Sequence, residues 1–181
     1  MKKMTILFGI WLITGSFATA HAAGFIKFNG IDGDSVVEGY VNWSEFLSVV
    51  QEITSPEITT GVVTRLRGNP EFKEITVVKT LDKASPKIAD RALRDWNSDE
   101  VKVEWTRNIA GIEQPYYAYE MKNVLVTQYS SKGFGDTDLD SAKDNQIVEK
   151  IVLNFEDIKV TYYEYDDAGN LAGTVEYEWS N

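Results

Sequence analysis

The chain has 181 residues, enough to bury one substantial core, and carries a formal charge of −10 at neutral pH. Such an acidic surface argues against nucleic acid and anionic membranes as partners. There is no cysteine and one histidine, His21, so disulfides, thiol catalysis and cysteine-based zinc sites are excluded.

The start, MKKMTILFGIWLITGSFATAHAAG, has the three parts of a secretory signal. Lys2 and Lys3 give a basic end, Met4 to Thr14 is uncharged and apolar, and Ala20-His21-Ala22 suits a signal peptidase. We expect residues 1–22 to be removed and the product to be periplasmic or extracellular. The mature chain then has 181 − 22 = 159 residues, with 16 basic and 28 acidic groups, a net −12. Its only histidine leaves with the signal, so Ser-His-Asp catalysis and histidine-ligated metal leave too. No later stretch is apolar for long enough to span a bilayer, so no membrane contact is expected after cleavage.

Gly24 to Ile31 reads as a strand, followed by a turn at Asp32-Gly33-Asp34 where left-handed backbone is tolerated. Tyr40 to Ile53 is rich in β-branched and aromatic residues and reads as a second strand, although its apolar spacing also fits a helix. Thr54 to Glu74, TSPEITTGVVTRLRGNPEFKE, holds two prolines and two glycines and reads as a long loop or an irregular hairpin. Ile75 to Lys79 is a strand. The next stretch, TLDKASPKIADRALRDW, is helical: Ser85 is a good N-cap and Pro86 suits the first helical position. Ile88, Ala89, Ala92, Leu93 and Trp96 form its apolar face, and Asn97 can end it.

Val101, Val103 and Trp105 alternate with polar residues, as in a half-buried strand. After a turn at AGIEQP, Tyr116 to Ser130 puts Tyr117, Tyr119 and Met121 on one face. Ser131 to Gln146 is a polar loop. Ile151, Leu153 and Phe155 alternate, then Ile158, Val160 and Tyr162; the change of parity predicts a bulge or bend near Glu156-Asp157. Asp166 to Asn170 turns the chain, and Leu171, Gly173, Val175, Tyr177 and Trp179 alternate to the end, closing a hairpin. Several strands and one amphipathic helix predict a mainly β fold: a compact antiparallel β-barrel or sandwich with one flanking α-helix, over residues 23–181 as a single domain.

No constellation stands out as catalytic. Asp136, Asp138 and Asp140 have the opening spacing of a calcium loop, but Ser141 and Ile147 occupy its glycine and glutamate positions. Glu45, Glu104, Glu120, Glu156, Glu164, Glu176 and Glu178 lie on or near strands, and any two could in principle serve a carboxylate-based hydrolase; no spacing selects a pair. The tyrosine-rich strands suit a sugar-stacking platform, but packing alone favours tyrosine in strands. Asn42-Trp43-Ser44 is a glycosylation triplet of a kind common by chance. No cofactor is expected.

The order Arg-rich step, Gly-x-Pro-x-Phe, strand, then LDKASPK, from Thr64 to Ile88, resembles the centre of the Hcp (hemolysin-coregulated protein) family of type VI secretion systems. FIKFNGIDGDS, YYAYEMKNVLVTQYSSKG and the closing stretch Glu149 to Trp179 are similar to the family's opening, central and final strands. The resemblance implies a β-barrel with one helix, hexameric rings that stack into a tube, effector proteins as cargo, and no catalytic centre. It also implies an extended subunit-contact loop at Thr54 to Glu74, with Arg65, Arg67, Pro70 and Phe72 as assembly residues. Family members ordinarily lack an export signal, which this chain is expected to have, and often have glycine where Asn97 stands. The alternative reading is a stand-alone exported barrel that binds a protein or a glycan.

Overall fold

The computed structural model describes residues 23–59, 65–94, 98–109, 111–133 and 147–181. Residues 1–22, expected to be a signal, together with Trp96, Asn97 and the Asp136–Asp140 cluster, lie outside the described residues. The strands are β1 (Ala23–Phe28), β2 (Ser44–Val50), β3 (Ile53–Thr54), β4 (Glu57–Thr59), β5 (Arg65–Arg67), β6 (Glu71–Phe72) and β7 (Ile75–Thr80). The helix α1 (Ser85–Leu93) follows, then β8 (Ser98–Ile109), β9 (Ile112–Lys132), β10 (Val148–Asn154), β11 (Asp157–Tyr165) and β12 (Leu171–Ser180).

All strand pairing among the described residues is antiparallel. The order β10-β7-β2-β1-β8-β9 closes on itself because β10 also pairs with β9, giving a six-stranded barrel. Closure hides every strand edge of the ring. The hairpin β11–β12 is added to the same edge of β9 that pairs with β10, lower down the strand. β9 serves both partners by bending at Asn123, which has φ +50°. There Glu156 N–H donates to the Lys122 carbonyl at 3.2 Å and the Asn123 amide donates to the Glu156 carboxylate at 2.6 Å. The expected bend near Glu156-Asp157 is therefore real, and it separates β10 from β11 so that Phe155 and Ile158 can both face inward.

Alternate residues fill the barrel: Ile26, Phe28, Ile75, Val77, Val101, Val103, Met121, Ile151, Leu153 and Ile158 are all at most 2% exposed. At roughly 1.5–3 kcal/mol for each large side chain fully buried, this cluster dominates the favourable side of folding. The helix packs on β9 and turns Ala84, Ile88 and Ala92 into the core. Nine residues would not hold a helix in water without that packing.

Four local expectations are corrected. Tyr40–Trp43 is not strand: it closes the turn that carries Tyr40 over Phe25, their rings stacked at 4.3 Å. The left-handed residue of the first turn is Gly30, φ +71°, rather than Gly33, where a Cβ would instead strike the Trp43 carbonyl and Ser44. Ser85 is the first helical residue, not the cap, which falls on Ala84. The cap carries no side-chain capping hydrogen bond, and its own N–H donates to Asp82 Oδ1 at 2.9 Å. Leu93, expected on the packed face, is 85% exposed.

Candidate assembly surface

The segment between β2 and β7 is the irregular hairpin anticipated from its prolines and glycines. It leaves the barrel where the β2–β7 pairing ends at Val50↔Thr76. Lys73 N–H donates to the Glu52 carbonyl at 2.9 Å, and the two side chains are paired at 3.2 Å. The Lys73 ammonium holds the Glu52 carboxyl below the ordinary glutamate value. Then come Ile53↔Phe72 and Thr54↔Glu71, and after them Gly68 N–H donates to the Pro56 carbonyl at 2.7 Å. Gly68 is required there, because a Cβ would lie 2.8 Å from the Pro56 ring. Beyond this step β4 and β5 pair as Glu57↔Arg67, Ile58↔Leu66 and Thr59↔Arg65. The result is a narrow two-stranded arm continuous with the barrel.

The four residues expected to act in assembly divide along this arm. Arg65 and Arg67 are in β5, in register with Thr59 and Glu57 of β4. Pro70 is half-buried at the arm's base. Phe72 is turned into the barrel, 7% exposed, with its ring edge-on to Phe155 at 5.3 Å. It anchors the arm and is not itself available on the surface of the subunit.

The LDKASP stretch codes for a charged joint beneath the helix. Lys79 lies inside the barrel with its ammonium 2.8 Å from Glu149 Oε1 and 2.7 Å from Asp82 Oδ1; Lys79 and Glu149 side chains are 0% exposed. Tyr129 donates its hydroxyl to Glu149 at 2.7 Å, and Ser44 donates to Asp82 at 2.5 Å. Asp82 N–H donates to Ser85 Oγ at 3.0 Å. Burial pushes the Asp82 carboxyl up, but the hydrogen bonds from Lys79 and Ser44 together with the Lys79 charge outweigh it, so the group sits below the ordinary aspartate value. This joint ties β2, β7, β9 and β10 to the first turn of α1.

The sheet from β1 to β12 carries two contrasting faces. On the core side the registers align in rows: Phe28–Val101–Met121–Ile158–Trp179, then Ile26–Val103–Tyr119–Val160–Tyr177, then Gly24–Trp105–Tyr117–Tyr162–Val175. Each row begins under the barrel and runs out into the open. Val160 is 2% exposed, whereas Tyr177 is 44%, Tyr162 40% and Val175 62% exposed. The alternation along β12 predicted this apolar face, but the subunit covers little of it beyond Trp179. A second set of exposed apolar residues, Leu47, Val50, Ile53 and Ile58, runs from β2 into the arm.

The opposite face of the same sheet is charged. One row reads Lys27–Lys102–Glu120–Lys159–Glu178, with Lys102–Glu120 at 3.5 Å and Lys159 bonded to Glu176 at 2.8 Å. Glu104 is the most enclosed of these carboxylates: burial raises its carboxyl above the ordinary value, partly offset by the hydroxyl of Tyr40 at 2.7 Å and by Lys102. Its place is structural, since that hydrogen bond holds Tyr40 over Phe25. Among the described residues no group of three or more acidic or histidine side chains is placed to hold a metal, and no helix is long and apolar enough to cross a membrane.

A barrel closed by six strands, one helix fastened by LDKASP, and an arm between the second strand and the helix's strand form a recognisable set. Residues 25–162 match the profile of the type VI secretion system effector Hcp. The chain belongs to the Hcp family. Among curated proteins no sequence matches at a significant level. Solved structures with the Hcp fold align over most of their length. A type six secretion system protein aligns with a TM-score of 0.77 at 22% identity, over 88% of this chain and 96% of its own. Hcp1 from Salmonella typhimurium gives 0.67 at 20% identity, over 88% and 94%. A type VI secretion system effector from Yersinia pestis gives 0.65 at 16%, over 87% and 99%. Hcp proteins form a structural family and not an enzyme family.

Proposed function

We propose that residues 23–181 act as one domain, a non-catalytic Hcp subunit that assembles into six-membered rings able to stack as a tube around effector proteins. Residues 1–22 export it, so assembly takes place in the periplasm or outside the cell. The observation that carries this reading is the arm from Ile53 to Phe72: a two-stranded extension, anchored at its base by Phe72 and Gly68, that no core function of the barrel requires. Arg65 and Arg67 on β5 are its contact residues, with Pro70 shaping the base. The rigid anchoring lowers the ordering cost that a loose loop would incur on docking. The test is the double charge reversal R65E/R67E, assayed by light scattering after size exclusion. Loss of the ring with retained thermal unfolding supports the reading; undiminished assembly refutes the arm's role.

A further inference from the structure

The expected signal and the barrel meet without a spacer. The bond to be cut lies between Ala22 and Ala23, and Ala23 is already the first residue of β1. A peptidase takes its substrate as extended backbone, whose N–H and C=O groups it pairs with its own. It needs chain on both sides of the scissile bond. On the carboxyl side that chain is Ala23 and Gly24.

In the folded subunit those two residues are held. β1 lies between β2 and β8 in the closed ring. Ala23 pairs with Thr106 and Gly24 with Trp105, and Thr106 Oγ stands 3.2 Å from the Ala23 carbonyl. The Phe46 ring lies directly on Gly24, so that a Cβ there would strike it. Phe46 is in turn edge-on to Trp105, with ring centroids 5.4 Å apart. The next residue, Phe25, is 1% exposed, pairs with Glu45 on one side and Glu104 on the other, and stacks with Tyr40. The strand end thus has its backbone paired, a ring on top of it and no slack behind it. To lie in a peptidase cleft it must leave β8, lift Phe46 and draw on Phe25. Because β1 is flanked on both sides, its departure also opens the barrel.

We propose that closure of the barrel shuts the Ala22–Ala23 bond to signal peptidase, so that the signal is removed only from the unfolded chain. This rests on the export reading above and adds the order of events: processing first, barrel closure second, assembly last. A chain that folds before export keeps its signal.

The test uses the full chain, residues 1–181, unfolded in urea and diluted into detergent micelles. A bacterial type I signal peptidase is added either at once or after circular dichroism shows refolding to be complete, and mass spectrometry reads the cut. The freshly diluted chain should be cut after Ala22. The refolded chain should lose that cleavage over the same interval, because the cut must then wait for the strand end to open. A second precursor, with a flexible Gly-Ser spacer between Ala22 and Ala23, should be cut in both states. Equal cleavage of the fresh and refolded natural precursor would overturn the proposal and leave the export reading standing. So would a refolded spaced precursor that resists the enzyme, since the block would then lie outside β1. A freshly diluted chain that is not cut after Ala22 would overturn the export reading and the proposal together.

Discussion

Replacing Lys79 by methionine tests the joint under the helix. The ammonium is enclosed with Glu149, whose side chain is 0% exposed, and Asp82, 9% exposed. Among the described residues Glu149 Oε1 takes no hydrogen bond, and the charge 2.8 Å away compensates it. Removing one partner of a buried pair costs about 3–5 kcal/mol, because the remaining charge stays out of water. For a chain of this length each kcal/mol shifts Tm by about 2–4 °C, so K79M should melt about 6–20 °C lower at neutral pH. The sign of its pH response is distinctive. Without the ammonium, Asp82 loses the strongest of the interactions that hold its folded carboxyl low, so less stability depends on its staying deprotonated. The variant should therefore lose less stability than wild type as pH falls below about 4. The double variant K79M/E149L should recover most of the loss. Thermal unfolding followed by circular dichroism from neutral pH down through the acid limb reads all three. A K79M chain within about 1 kcal/mol of wild type, with the same pH response, would refute the reasoning.

Asp82→Asn should destabilise the chain at neutral pH by about 1–3 kcal/mol through the lost charge on Lys79. Because the folded Asp82 carboxyl lies below its ordinary value, its contribution is present above that ordinary value and lost as pH falls through the lower folded one. D82N should flatten the acid limb of stability below about pH 4, measured by urea titration at several pH values. Phe72→Ala empties a buried site against Phe155 and should cost about 3–5 kcal/mol by urea unfolding, while Phe72→Leu should cost much less. Gly24→Ala would drive a methyl into the Phe46 ring beside Trp105 and should lower stability by about 1–3 kcal/mol in the same assay.

Much of the barrel is legible from alternation alone. Val101, Val103 and Trp105, or Ile158, Val160 and Tyr162, declare a strand and the face it presents. The kink between Phe155 and Ile158 shows as a change of parity. The prolines and glycines of Thr54 to Glu74 mark the arm. Other features depend on partners distant in the chain. Tyr40 reads as strand by composition, yet it is a lid whose place is fixed by Phe25 and Glu104, 15 and 64 positions away. Ser85 reads as a cap, but it opens the helix and its hydroxyl accepts from Asp82 N–H in the joint around Lys79. The apolar face of β12 shows where Val175 and Tyr177 point. Whether the same subunit covers them is a matter of strand order, and no local pattern in a single sequence records that β12 lies beyond the closed ring.

The central claim is that this Hcp chain works by assembling. Sedimentation velocity on residues 23–181, from micromolar to millimolar concentration, tests it most directly. The account predicts one discrete species of six times the monomer mass that gains population with concentration. A single species of monomer mass across the whole range would contradict it.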